Sequence, residues 1–270
     1  AIRAPLSLPE VLPTAPHDLG DALAASRVHL HLYDPETLVS PAEHEYVGPG
    51  GSNIGPVELR YDLPIGQHLK NDPGPIVIDD ALTYADGPAP FVELIRSQAE
   101  RLRLRSQIYY PLMVSGVFRG ALCISQTERI RYWTDDELAL VESVAAQLAT
   151  GIAQAELFEM VTRAKREWET TFDAMSDGIF IFDRAGRLKR ANRAGAEMEN
   201  SDPGELIGRK CCDILSTSAV GEACIVEQAI AEARSVTVEV TPERLNRPLL
   251  VTIEPVVDGS AQLTALVCTA

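Results

Sequence analysis

The run Ser26-Arg-Val-His-Leu-His-Leu-Tyr33 alternates polar residues with β-formers and stops at Asp34-Pro35-Glu36-Thr37, so it predicts a strand and a turn, with His29 and His31 on one face. Residues 1–20, rich in Pro and Leu, read as an irregular lead-in, and residues 40–57, which include Gly48-Pro-Gly-Gly51, as a mobile loop. Short strands are predicted at Val57–Tyr61 and Pro75–Asp79, and Phe91, Leu94, Ile95 and Leu102 recur at helical spacing. The sharpest signal is the pair of β runs Ser106–Val114 and Val117–Ser125. They flank the turn Ser115-Gly116 and predict an antiparallel hairpin.

From Thr134 the period changes. A hydroxyl N-cap with Glu137 three residues on has the form of a capping box, and no Pro follows until well past Ala174. Leu138, Val141, Ala145, Leu148, Ile152 and Ala155 step by three and four, and Phe158, Val161, Trp168, Phe172 and Met175 continue a looser stripe. A helix over 134–175 would be about 60 Å long, more than one domain of this size can enclose. It is expected to join two domains and to pair with its copy in a homodimer.

Beyond Met175 the strand pattern returns. Asp177–Asp183, the turn at Gly186 and Arg187–Ala191 predict a second hairpin, with helical pieces at Glu205–Gly208 and Cys224–Ala233. Three strands close the chain at Ser235–Thr241, Pro248–Val257 and Gln262–Thr269. Strands at both ends with helices between imply an α+β domain on one antiparallel sheet. The expected organisation is therefore a lead-in over 1–20, one α+β domain over 21–150, the connecting helix over 134–175 and a second α+β domain over 176–270.

Composition narrows the roles. With 24 basic and 39 acidic residues the net charge is −15, which repels nucleic-acid phosphates and anionic lipid. No run approaches the ~20 consecutive apolar residues of a bilayer span, so no membrane span is expected. Five cysteines without a signal peptide point to a reducing, cytoplasmic setting. The chain begins at Ala1 and ends on a strand-like run, and is read as a piece of a longer protein with an output domain downstream.

Two family resemblances follow from these residues. Residues 20 to 160 resemble a GAF domain, through Ser106–Ser125 followed by Arg131-Tyr-Trp-Thr-Asp-Asp-Glu-Leu138. Residues 168 to 270 resemble a PAS domain, through Phe172–Asp183, Arg190-Ala-Asn192 and Glu205–Arg209. The resemblance implies an input region of the kind found upstream of histidine kinases and related signalling enzymes, sensing a small ligand or a redox cofactor. The alternative is a ligand-free interaction and dimerisation scaffold. P-loop, nucleophile-elbow, zinc-protease and dinucleotide motifs are absent from the sequence, so no catalytic residue is assigned.

Candidate chemistry rests on cysteine and histidine. Cys211, Cys212, Cys224 and Cys268 could hold an iron–sulfur cluster or zinc, since both accept four thiolates, could form a redox disulfide, or could be core thiols. They lack the paired Cys-x-x-Cys spacing of the cluster-binding PAS sensors that they resemble. His68 is the candidate axial ligand for haem. The GAF resemblance argues against a covalent bilin, because no Cys precedes the hairpin and Cys123 lies inside a strand without an adjacent His. The signature Asn-Lys-Phe-Asp-Glu of cyclic-nucleotide GAF domains is also missing.

Overall fold

A computed structural model describes residues 8–42, 44–49, 51, 57–72, 74–214, 225–232, 234–242, 245, 247–260 and 262–270. Contacts divide the chain into two units, Ala1–Met160 and Val161–Ala270.

The first unit runs α1 (Leu8–Leu23), β1 (Arg27–Leu32), β2 (Val39–Pro41), β3 (His44–Val47), β4 (Glu58–Arg60), α2 (Pro64–Asn71), β5 (Ile76–Ile78), α3 (Ala89–Leu102), β6 (Ser106–Val114) and β7 (Val117–Gln126). Helix α4 (Asp135–Ala174) begins in this unit and ends in the next. Five strands form an antiparallel sheet in the order β3-β1-β7-β6-β5, while β2 and β4 pair apart from it. The turn between β6 and β7 has positive φ at both Ser115 and Gly116, the primed geometry that matches strand twist.

Alternation along the central strands divides the buried residues into two cores. Val28 and Leu30 of β1, Ile108 and Leu112 of β6, and Leu122 and Ile124 of β7 pack with α1 and the first half of α4. On the opposite face, Tyr109, Ala121 and Cys123 pack with Ile65 and Leu69 of α2 and with Phe91, Ile95 and Ala99 of α3. Both faces of this sheet are covered.

Two stretches differ from the sequence expectation. The irregular lead-in is the helix α1, despite Pro13 and Pro16 inside it. Each interior proline costs about 3 kcal/mol, and burial of Ala15, Leu19 and Leu23 in the first core offsets this. Gly20 permits the close approach of this helix to β3, since a Cβ there would stand 2.1 Å from the Tyr46 ring, whose hydroxyl donates to Asp21 at 2.7 Å. The expected loop over 40–57 contains β3 and the end of β2, so Tyr46 is a core residue; residues 52–56 lie outside the described set.

Helix α4 starts as the capping box requires, with Thr134 Oγ1 accepting from the Glu137 amide at 3.3 Å and Glu137 Oε2 accepting from the Thr134 amide at 2.9 Å. It is long and apolar enough, by length and composition alone, to cross a membrane, which the sequence reading did not anticipate. Packing accounts for much of that apolarity. Val141, Ala145, Leu148 and Ile152 belong to the first unit's own core rather than to a partner helix.

The second unit holds β8 (Ile179–Phe182), β9 (Leu188–Ala191), α5 (Arg193–Met198), α6 (Pro203–Leu206), α7 (Cys211–Ile214), α8 (Ile225–Glu232), β10 (Val236–Val240), β11 (Leu249–Val257) and β12 (Leu263–Thr269). Its sheet has the order β10-β11-β12-β8-β9. Phe180, Phe182, Leu206, Ile214, Val226 and Ile253 fill its core.

Asn192 ties this unit together. Fully buried, it accepts from the amides of Ile179 and Gly195, each at 2.8 Å, and donates to the carbonyls of Asp177 at 2.8 Å and Phe172 at 3.2 Å. One amide thus caps α5 and fastens the last turn of α4 to the first strand. Replacing Asn192 by Ala strands several backbone groups, so the second unit should lose about 2–4 kcal/mol of stability. Thermal unfolding of the whole chain should show one transition moving down; an unmoved profile would contradict the role assigned to this side chain.

Candidate functional site

The first unit's sheet exposes three rows of side chains to an internal cavity of about 340 Å³. Cross-strand partners point to the same face. Register therefore places Arg27 of β1 beside Ser125 of β7 and Gln107 of β6, and His29 beside Cys123 and Tyr109. His31 lies one further step along β1. All these side chains line the cavity.

This floor is polar yet inaccessible. Arg27 is 1% exposed, and His29 and Gln107 are each 3% exposed. Nδ1 of His29 and Oε1 of Gln107 have no hydrogen-bond partner among the described residues. Buried polar atoms are ordinarily satisfied, and each exception costs about 1–3 kcal/mol. Glu45, opposite His29 on the edge strand β3, stands 3.7 Å from Arg27 Nη2 and 3.9 Å from His29 Nε2. The first is an ion-pair distance.

The roof is different in kind. Leu59, Leu63, Ile65, Leu94, Leu102 and Leu104 cover the floor, with Glu58, Arg60 and Arg101 among the lining. Polar groups thus converge beneath a mixed cover, in a cavity at the low end of the roughly 300–1,000 Å³ range of small-molecule pockets.

Burial fixes the charge states. Desolvation, then His31 and then Arg27, push His29 down to about 3. Desolvation pushes His31 down to about 4 against the opposing carbonyls of Ser40 and Pro41, the first of which lies 3.0 Å from Nδ1. The two rings stack 5.9 Å apart as neutral imidazoles. Desolvation also pushes the Cys123 thiol well up, so it is protonated and a poor nucleophile.

The residues singled out from sequence lie elsewhere. His68 sits on α2, half exposed, with its ring 5.6 Å from Phe91 and Nε2 3.9 Å from Asp72; it lies outside this cavity and lines a separate, more open pocket with Tyr84 and Phe91. In the second unit, Cys211 and Cys212 start α7 with their Sγ atoms 3.8 Å apart. Cys268 lies in β12, paired with Phe180 and Ile253, where burial pushes its thiol up to about 12. Cys224 lies outside the described residues. Among the described residues no three His, Cys, Asp or Glu side chains converge as a metal site, and Cys123, Cys211, Cys212 and Cys268 are joined by no disulfide. Cys268 lies one residue from the end of its strand and Cys211–Cys212 at a helix start, and these three described thiols form no metal-holding group.

Arg27, Gln107 and Ser125 escaped the sequence reading. Their signal was present in Arg27-Val-His-Leu-His-Leu32, whose polar alternate positions suggest a solvated face until the sheet is known to be covered on both sides.

A covered antiparallel sheet with a polar cavity, followed by a second α+β unit, makes a two-domain α+β protein with a candidate ligand pocket in its first domain. Family models agree: a GAF domain matches residues 7–152 and a PAS fold matches residues 172–270. The first match spans more than half the chain, which therefore belongs to the GAF domain family and carries a PAS fold behind it. Both are sensory domains, and the chain has a sensory or signalling role.

Among solved structures, the blue-light-absorbing form of the PixJ GAF domain of Thermosynechococcus elongatus is 16% identical at a TM-score of 0.48, covering 58% of this chain and 91% of that one. The GAF domain of a phosphoenolpyruvate-protein phosphotransferase from Coxiella burnetii is 20% identical at 0.45, covering 58% and 89%. The E. coli DhaR(N)–DhaL complex is 17% identical at 0.48, covering 97% and 85%. No curated protein matches the chain.

The neutral histidines carry a pH prediction. Their folded pKa values lie below the unfolded value near 6.5, so the unfolded chain binds more protons between about pH 6.5 and 4. Stability contributed by burying them neutral is complete above pH 6.5 and is lost as pH falls toward 4, on the order of 2 kcal/mol or more per histidine. Urea unfolding across this window should show a shallower loss for His29→Gln than for the wild type. Equal slopes would mean that the ring is not held neutral.

Proposed function

We propose that this chain is the input region of a cytoplasmic signalling protein, most simply a sensor histidine kinase, in which the GAF cavity binds a small ligand and α4 relays its state to an output domain downstream. The observation that carries this reading is the floor of buried polar side chains with unsatisfied atoms, which a bound molecule would satisfy. A ligand-free scaffold gives no reason to bury them. The fragment is read as non-catalytic, because the cavity's only lining thiol is held protonated and its imidazoles are neutral spectators.

A covalent bilin is not part of this reading. Cys123 is the thiol that lines the cavity, and it lies at the floor of a space at the small end of ligand pockets. For the PAS half, the adjacent thiols of Cys211 and Cys212 support a redox pair better than an iron–sulfur cluster, since Cys268 does not converge with them.

Relay is proposed to run through a homodimer of α4. Leu157, Phe158, Met160 and Val161 are each more than half exposed on a helix whose earlier stripe, Val141, Ala145, Leu148 and Ile152, is already buried. Leu157, Val161, Ala164 and Trp168 are spaced four, three and four apart, the a/d repeat by which identical helices pair. The exposed segment, rather than Leu148, is therefore the place to test pairing. Leu157→Glu with Val161→Glu should convert a sedimenting dimer to a folded monomer. A wild-type monomer, or a double variant that still dimerises, would remove α4 pairing from the proposal.

A further inference from the structure

The first unit holds a second pocket, of about 890 Å³, between α2, the edge strand β5 and the start of α3. We infer that this pocket binds a small, freely diffusing organic cation of the quaternary-ammonium type, held against the rings of Tyr84 and Phe91 and attracted by the carboxylates of Asp72 and Asp86. The pocket shares no lining residue with the sheet cavity, so the inference does not depend on what that cavity binds.

Three rings from three segments meet here. His68 belongs to α2, Phe91 to α3, and Tyr84 to the connection between β5 and α3, and all of them line the pocket. The Phe91 centroid lies 5.6 Å from that of His68 and 6.1 Å from that of Tyr84, with ring planes inclined at 46° and 58°. Rings inclined in this way bound a concave space on more than one side. An aromatic ring offers a cation the negative charge of its face, and offers the methyl groups of a quaternary ammonium an apolar surface. The wall is also held in place by the protein's own contacts. Phe91 is 7% exposed and belongs to the core under α2 and α3, while the Tyr84 carbonyl accepts from Arg96 Nε at 2.8 Å, which ties its segment to α3. Pro64, Pro75, Pro88 and Pro90 stand in the same wall and restrict its backbone. A wall fixed beforehand lowers the ordering cost of binding.

Charge sets the sign of the ligand. Asp72 and Asp86 line this pocket, and among the described residues no lysine or arginine does, whereas the sheet cavity is lined by three arginines and one glutamate. The carboxylates stand beside the rings. Burial first, and then Asp86, hold the Tyr84 hydroxyl above the usual phenol range, and Asp72 Oδ2 lies 3.9 Å from His68 Nε2. An anion would meet two carboxylates and no cationic side chain of the lining. A primary ammonium is strongly hydrated and loses that hydration on entering a space of rings and prolines, while a methylated ammonium carries its charge beneath an apolar shell. The net charge of −15 adds a long-range attraction of the same sign.

Calorimetric titration of the full chain at pH 7.5 with three probes tests the assignment: choline, its uncharged isostere 3,3-dimethyl-1-butanol, and ethanolamine. Choline should bind at one site and at least about fivefold tighter than the isostere, which matches its shape without its charge. Ethanolamine should bind more weakly than choline. Tyr84→Leu and Asp86→Asn, at positions that are at least partly exposed, should each weaken choline several-fold while thermal unfolding stays in place. Phe91→Leu should weaken it too, but Phe91 is a core residue, so the other two variants decide the matter. Vesicles of phosphatidylcholine should not carry the chain down on centrifugation.

Equal binding of choline and its isostere, or preference for ethanolamine, would overturn the class of ligand. Unchanged choline affinity in folded Tyr84→Leu and Asp86→Asn would overturn the location. Capture by the vesicles would overturn the assignment to a free molecule in favour of a lipid headgroup, and absence of choline binding at millimolar concentration would overturn the site altogether.

Discussion

The first unit depends on a single constraint, that β1, β7 and β6 keep a register in which alternate residues serve opposite buried faces. A slip of one residue would move Arg27, His29 and His31 into the core beneath α1 and α4, and Val28 and Leu30 into the cavity. Two features hold the register. The primed turn at Ser115-Gly116 sets β6 against β7, and Gly120 lets β7 lie close to β1, where a Cβ would stand 2.2 Å from the His31 carbonyl oxygen. The apolar face contributes the stability that the polar face withholds. Six aliphatic side chains from the three strands are buried with no polar atom to satisfy, while His29 and Gln107 leave acceptor sites unmet. Such unmet groups tend to mark functional sites, where local cost is tolerated for binding.

Helix α4 meets different demands along its length. Its N-terminal turn is fixed by Thr134 and Glu137, with Arg131 also bonded to Glu137 and lying over the Trp133 ring, 4.5 Å from its centroid. The stretch through Ile152 is a core helix of the first unit. Near its other end Trp168 and Phe172 stack 4.9 Å apart, Arg190 caps the Trp168 ring at 4.3 Å, and Asn192 holds the Phe172 carbonyl. Between these anchored segments lies the exposed apolar stretch around Leu157 and Val161.

Much of this architecture was legible in the sequence, for identifiable reasons. The hairpin over 106–125 and the helix from 135 to 174 carry strong periodicity and local punctuation, so their boundaries fell within a residue or so of those observed. Helix α1 was hidden because Pro13 and Pro16 oppose it locally, and only burial of Leu19 and Leu23 restores it. Strand β3 was hidden among Gly and Pro because its pairing with β1 is a long-range event with no local mark beyond Tyr46. The site was less legible than the fold. Cysteine and histidine drew attention by residue type, whereas the cavity is defined by Arg27, Gln107 and Ser125, which become a group only through register across three strands. The face of β1 that holds His29 and His31 was recognised, but whether such a face meets water or a cavity depends on α2 and α3, which pack over it from later in the chain.

The same alternation joins the cavity floor to the core on the other side of the sheet. Glu45 faces the floor and stands near both Arg27 and His29, while its neighbour Tyr46 faces the other way into the core. Tyr46 bonds to Asp21 and fills the space that Gly20 leaves open, so β3 joins the cavity to α1 across the thickness of the sheet. As an edge strand of four residues bonded only to β1, it can move at lower cost than the central strands. Helix α1 shares its core with Val141, Ala145 and Leu148 of α4. Dense packing passes a displacement of Tyr46 to that shared core as a change between discrete arrangements rather than as a graded deformation.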